Sequence, residues 1–282
     1  MRILNTMDKM ADCFVDGRFS MSAWQKYIGR FSPQLAEKCR QDAMEYDLER
    51  DVLPVLNAAA ADGEKLRELR DSFDAVTGRF RQHIGKLFAE EPEIDIILYL
   101  GLCNGAGWAT VLDGRDVALL GIEKIIELGW QDEERMQALV FHEIGHIWHK
   151  LSGHLELQAS SASEKSLKQL YQEGIAMRCE QILCQNDNLY RRDKGGWLDW
   201  CRENLPGIKR EYARRVQSGE GTQDFFGDWH SYQGYSDVGY YLGCEFIKYL
   251  EKGAPLIQIA KLSLPEVGRA FDAFAREGRA GS

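Results

Sequence analysis

No stretch of this 282-residue chain approaches 18 consecutive apolar residues, so no membrane-spanning helix is expected. Residues 1–10 hold no unbroken apolar core followed by a small-residue cleavage site, and do not read as a secretory signal. Basic charge is in deficit, with 35 Lys and Arg against 44 Asp and Glu. The resulting net charge of −9 favours solubility and argues against nucleic-acid binding. The seven cysteines form no Cys-x-x-Cys pair and are odd in number. They fit small core thiols in a reducing compartment better than a disulfide framework or a cysteine–zinc site. A cytoplasmic protein is the expectation. Internal repeats and low-complexity tracts are also lacking, and none of these features specifies an oligomeric state.

What is present suits an ordinary globular chain. Apolar residues make up 44% and charged residues 28%, enough to bury one or two cores. Residues 1–90 read as a helical N-terminal region without recognisable chemistry. Ser32-Pro33 supplies an N-cap and a proline at the first helical position, opening a run to about Arg50. Asp62-Gly63 marks a break, and a second amphipathic segment continues to about Phe88 with a charged, solvated face.

At Glu91-Pro92 the pattern changes. Ile94, Ile96, Leu98 and Leu100 alternate as in a largely buried strand. Two short segments, 108–112 and 116–122, meet at Asp113-Gly114, a two-residue hairpin signal. A small sheet over 94–122 is therefore expected. Gly105-x-Gly107 lacks the third glycine and following helix of a dinucleotide loop, and reads as a turn. Further helices are expected over about 133–151, over 164–185 and from Ser236-Asp237 through Tyr249. Two shorter ones split near Pro265 close the chain, and 187–235 reads as a looser segment.

The chemistry concentrates in the helix at 133–151, which Asp132 can cap and whose acidic first turn suits the helix dipole. It contains His142-Glu143-x-x-His146 within an apolar run. Imidazoles at i and i+4 lie on one face, about 6 Å apart along the axis, and both can reach one Zn²⁺. Glu143 is rotated by roughly 100° and can act on a water at the metal. His149, one turn on, reads as a favourable charge at the helix C-terminus.

A catalytic zinc takes three protein ligands and keeps one open position. The metzincin pattern would put a third histidine at 152 and a glycine at 149. The chain has Ser152 and His149 there, and His154 is out of register, so that pattern is excluded. A carboxylate on the next helix is the alternative. Glu173 stands in Tyr171-x-Glu173-Gly174-x-Ala176, where the small residues would let the helix approach the first one closely. Glu164 and Glu180 are rival carboxylates, without small neighbours on both sides.

Taken together, His142-Glu143-x-x-His146 and Tyr171-x-Glu173-Gly174-x-Ala176 resemble the gluzincin branch of zinc metallopeptidases, in particular the peptidase-MA-like families of zinc-dependent proteases. Tyr240-x-x-Gly243-x-x-Phe246-x-x-Tyr249-Leu250 matches a further motif of those families, and the stretch from Gly107 through Trp108 and Gly121 to Trp130 is similar to them. The resemblance covers roughly residues 94–260. It implies an α+β, mainly helical protein with a zincin-like fold, a small sheet beside the metal helix and a catalytic domain over 91–282. It also implies one catalytic Zn²⁺ held by His142, His146 and Glu173, and hydrolysis of a peptide or protein substrate with Glu143 as general base. Tyr240 is its oxyanion donor, with Tyr241 and His230 in reserve. An extended substrate is expected along a sheet edge, with strand 116–121 the candidate. Trp108, Trp130, Trp197 and Trp229 read as core or pocket lining. The rival reading is a zincin-fold binding or sensor protein with a structural zinc.

Overall fold

The computed structural model describes residues 1–153, 157–227 and 229–277. The strands are β1 (Arg2–Asn5), β2 (Phe14–Val15), β3 (Arg18–Phe19), β4 (Ile94–Tyr99), β5 (Gly107–Leu112) and β6 (Arg115–Gly121). The first helices are α1 (Met21–Gly29), α2 (Pro33–Ala43), α3 (Leu53–Ala61), α4 (Gly63–Gly78), α5 (Phe80–Ile84) and α6 (Ile122–Leu128). They are followed by α7 (Glu133–Ser152), α8 (Ala162–Cys184), α9 (Trp197–Ser218), α10 (Val238–Glu251), α11 (Leu256–Ile259) and α12 (Leu264–Arg276). The class is α+β and mainly helical, with a small sheet. Among the described residues, no helix is long and apolar enough to cross a membrane.

Two compact units, Met1–Ile147 and Trp148–Ser282, divide within α7, whereas the sequence suggested a division near residue 90. The reason is β1. Its four residues are too short to show a period, yet they pair in parallel with β4, Arg2 opposite Asp95. The N-terminal region thus supplies an edge of the sheet, whose strand order is β1-β4-β6-β5. All six residues of β4 are buried, as expected of a parallel strand covered on both faces. Asp95, in that buried strand, is held by Arg2 at 2.9 Å and Arg115 at 3.0 Å, one from each neighbouring strand.

Local chemistry explains several boundaries. Ser32 accepts the Leu35 N–H and Pro33 opens α2. The expected hairpin joins β5 to β6, with Asp113 and Gly114 both at positive φ (50° and 80°). A second Asp-Gly turn, Asp16-Gly17 at φ 51° and 73°, joins β2 to β3 within the region read as helical. Asp132 caps α7 by accepting the Arg135 N–H at 3.0 Å.

The segment read as loose contains α9, a helix of 22 residues. Pro206 sits inside it and removes one backbone donor. It lies on the exposed side of the helix, while Trp197, Leu198, Cys201, Ile208 and Tyr212 are buried. Six of the seven cysteines are buried, and burial pushes the Cys13 and Cys39 thiols up to about 12.

Candidate metal centre

From Ala138 to His149, every residue of α7 is buried except His146, which is half-buried. Over this span the least covered side chain is thus a histidine. The His142 and His146 rings stand edge to face, their centroids 5.0 Å apart. Glu143, between them in sequence, is 4% exposed.

The Glu143 side chain meets the backbone of β5. A Cβ on Gly107 would lie 2.9 Å from both Cγ and Cδ of Glu143 and closer still to Oε1. Glycine at 107 is therefore what leaves the carboxylate its place. β5 is an edge strand, whereas β6, the expected substrate edge at 116–121, lies between β4 and β5. That expectation is corrected: the hairpin turns β5 outward and leaves β6 paired on both sides.

The loop leading into β5 is tied down by a buried carboxylate. Glu123, in the first turn of α6, accepts the N–H groups of Gly101 (2.8 Å) and Cys103 (3.0 Å). Burial raises its pKa above the ordinary carboxylate range.

On α8 the three carboxylates separate by environment. Glu164 forms a capping box with Ser161, and the hydrogen bonds it accepts, first from the Ser161 N–H and then from Ser160, lower its pKa to about 2. Glu180 is fully buried and paired with Arg191. Glu173 is half-buried, and its carboxylate joins the His142 and His146 nitrogens in one group whose ligand atoms all lie within 4.8 Å of one another. Among the described residues this is the one cluster of three or more such side chains able to hold a metal ion.

Gly174 serves a different neighbour from the one the sequence suggested. Its close approach is to α10: a Cβ there would lie 2.7 Å from the Gly243 carbonyl carbon and 2.9 Å from Ile247 Cγ1. A Cβ on Gly243 would in turn meet Leu170 O at 2.7 Å and Gly174 N at 3.0 Å. The two helices cross backbone to backbone, so the segments around Glu173 and Tyr240 form one structural feature.

Tyr240 lies in the first turn of α10, near enough to Glu173 for that charge to act on its phenol. Burial first, then Glu173, raises the phenol pKa, keeping the hydroxyl protonated. One edge of the ring meets Phe226 (centroids 5.4 Å apart), and the Arg192 guanidinium lies over it at 3.7 Å. Tyr241 instead packs with Tyr190 and Trp197 in an aromatic cluster. His230 is exposed, and His154 lies outside the described residues.

His149, read as a charge at the helix end, is fully buried with its ring edge to face on Tyr171 at 5.0 Å. Of the tryptophans, Trp130 and Trp197 are core. Trp108 donates to Tyr99 OH at 2.8 Å, and Trp229 is 40% exposed. Arg192 and Asp237 carry no spacing signal, and their neighbourhood emerges only in three dimensions.

A search of protein-family models, curated proteins and solved structures finds no match to this chain.

Proposed function

We propose that the chain is a gluzincin-type zinc metallopeptidase, in which His142, His146 and Glu173 hold one Zn²⁺ and Glu143 is the general base. The convergence of two imidazoles and a carboxylate within 4.8 Å, with a glutamate between the two histidines, carries this reading. The donors fit the ion. Zinc bonds of about 2.0–2.2 Å place tetrahedral ligand atoms roughly 3.4 Å apart, a modest side-chain rotation from the separation here. Two imidazoles and a carboxylate are also the donor set of a zinc that keeps a fourth position open.

Zn²⁺ in this set would supply Lewis acidity to a carbonyl and acidify a water. The chain's own residues account for the remaining work. Glu143 takes a proton from the water as its oxygen bonds to the scissile carbon. It then passes that proton to the amide nitrogen as the C–N bond breaks. Tyr240 donates its hydroxyl hydrogen to the oxygen on which charge develops, the place where a fixed donor contributes most. An extended peptide pairs with the edge strand β5, whose first residue, Gly107, adjoins Glu143. A zincin-like fold with catalytic residues drawn from 91–282 belongs to the same proposal.

The test uses protein purified without a polyhistidine tag and assayed on a proteome-derived peptide library. Wild type should carry one zinc per chain and cleave peptides. Glu143→Gln should keep the zinc and lose at least about 10³-fold in kcat, and Glu173→Ala should lose the zinc. Full activity in zinc-loaded Glu143→Gln would refute the mechanism. A wild-type protein that binds zinc without cleaving any peptide would leave the binding or sensor reading instead.

A further inference from the structure

We infer that Arg192 is the positioning residue for Tyr240, holding the phenol ring at its face so that the hydroxyl has one direction. The inference rests on the proposed peptidase reading and on Tyr240 as oxyanion donor, and it adds a residue that neither the motifs nor the metal site identify. The Arg192 guanidinium lies 3.7 Å from the Tyr240 ring centroid, within the range of a cation–π contact. Phe226 meets the same ring at 70°, so a planar cation and an aromatic edge together restrict it. Arg192 is itself anchored. Its side chain is 11% exposed and its Nε lies 2.7 Å from Asp237 Oδ2. Asp237 is fixed in turn, in the left-handed region at the N-cap of α10, where its other oxygen accepts the Gly227 N–H at 2.9 Å.

These contacts form a chain from backbone to hydroxyl: Gly227 holds Asp237, Asp237 holds Arg192, and Arg192 covers Tyr240. Gly239 tightens it further, because a Cβ there would come within 2.6 Å of Phe226 Cε1. A planar guanidinium stacks on an aromatic face in a way that a lysine ammonium does not reproduce, so this contact restrains the orientation of the phenol.

The experiment is a double-mutant cycle on the zinc-loaded full-length enzyme, using a peptide selected from the cleavage library. Tyr240→Phe should lower kcat by about 10²-fold, the scale of removing one oxyanion donor. Arg192→Lys keeps the cation and loses the planar stack. It should lower kcat by about tenfold, with KM within about twofold and zinc stoichiometry unchanged. In the Tyr240→Phe background, Arg192→Lys should have no further effect on kcat, because the hydroxyl it aims is gone. Should Arg192→Lys fail to fold, Asp237→Asn, which tolerates the left-handed backbone, carries the same cycle. Equal losses with and without the Tyr240 hydroxyl would overturn the positioning role and leave the peptidase reading standing. A wild-type enzyme that cleaves nothing would overturn both.

Discussion

Replacing Gly107 by alanine tests the link between the edge strand and the proposed base. The added Cβ would sit 2.9 Å from Glu143 Cγ and Cδ. Carbon atoms in ordinary contact lie about 3.5–4.0 Å apart, so one side must yield by roughly 0.6–1 Å. β5 is bound along its length to β6, and the helix around Glu143 is buried nearly all round, so the Glu143 side chain is the part that moves. A reacting group displaced by about 1 Å loses on the order of 10²-fold in rate, or about 2.7 kcal/mol of transition-state stabilisation. Zinc content should be unchanged, since neither histidine is touched. Overpacking should also cost about 1–3 kcal/mol of stability. In a Glu143→Ala background Cγ, Cδ and Oε1 are gone, and the stability penalty of Gly107→Ala should disappear. Denaturant unfolding of the four proteins in the cycle, with kcat and metal analysis, decides the matter. Wild-type kcat in Gly107→Ala, or a stability penalty that persists without the Glu143 side chain, would show that the two do not compete for the same space.

Two further predictions concern stability. Gly174→Ala drives a Cβ into the Gly243 backbone, which cannot rotate away. It should destabilise the protein by about 3 kcal/mol and weaken zinc retention, both read from thermal melts and dialysis against a chelator. Gly268→Ala is the control: its nearest contact would be an ordinary 3.5 Å from Leu167 Cδ1, so the melting temperature should hold or rise. Glu164 has a folded pKa of about 2 against 4.5 when unperturbed, so the native chain binds fewer protons between those values. Its stabilising effect is complete above pH 4.5 and is lost as pH falls toward 2. Glu164→Gln should therefore flatten the fall in melting temperature between pH 5 and 2.5; an unchanged slope would assign that fall to other carboxylates.

What the sequence disclosed follows the range of the interactions involved. The helix that carries His142 and His146, the Asp113-Gly114 hairpin and the caps at Ser32 and Asp132 depend on residues within four positions of one another. They were legible for that reason. Asp16-Gly17 carries the same turn signal as Asp113-Gly114, but its flanking strands are two residues each, too short to show a period. β1 was hidden because its partner lies some ninety residues away, and α9 because Pro206 interrupts a pattern that the exposed side of a helix tolerates. At the site, the choice of Glu173 over Glu164 and Glu180 followed from small neighbours that prove to serve the contact with α10. Arg192 had no local signal at all, since its partners come from α10 and the turn before it.

The crossing of α8 and α10 at Gly174 and Gly243 has a mechanical consequence. Where side chains separate two helices, they act as springs, and a small load is absorbed by rotation about χ angles. Two main chains in direct contact have no such compliance and act as a stop. Glu173 adjoins this stop in sequence and Tyr240 is one helical turn from it, so the separation of their backbones is set by main-chain contact. Redesign of the surrounding loops can then proceed with that spacing as a fixed dimension.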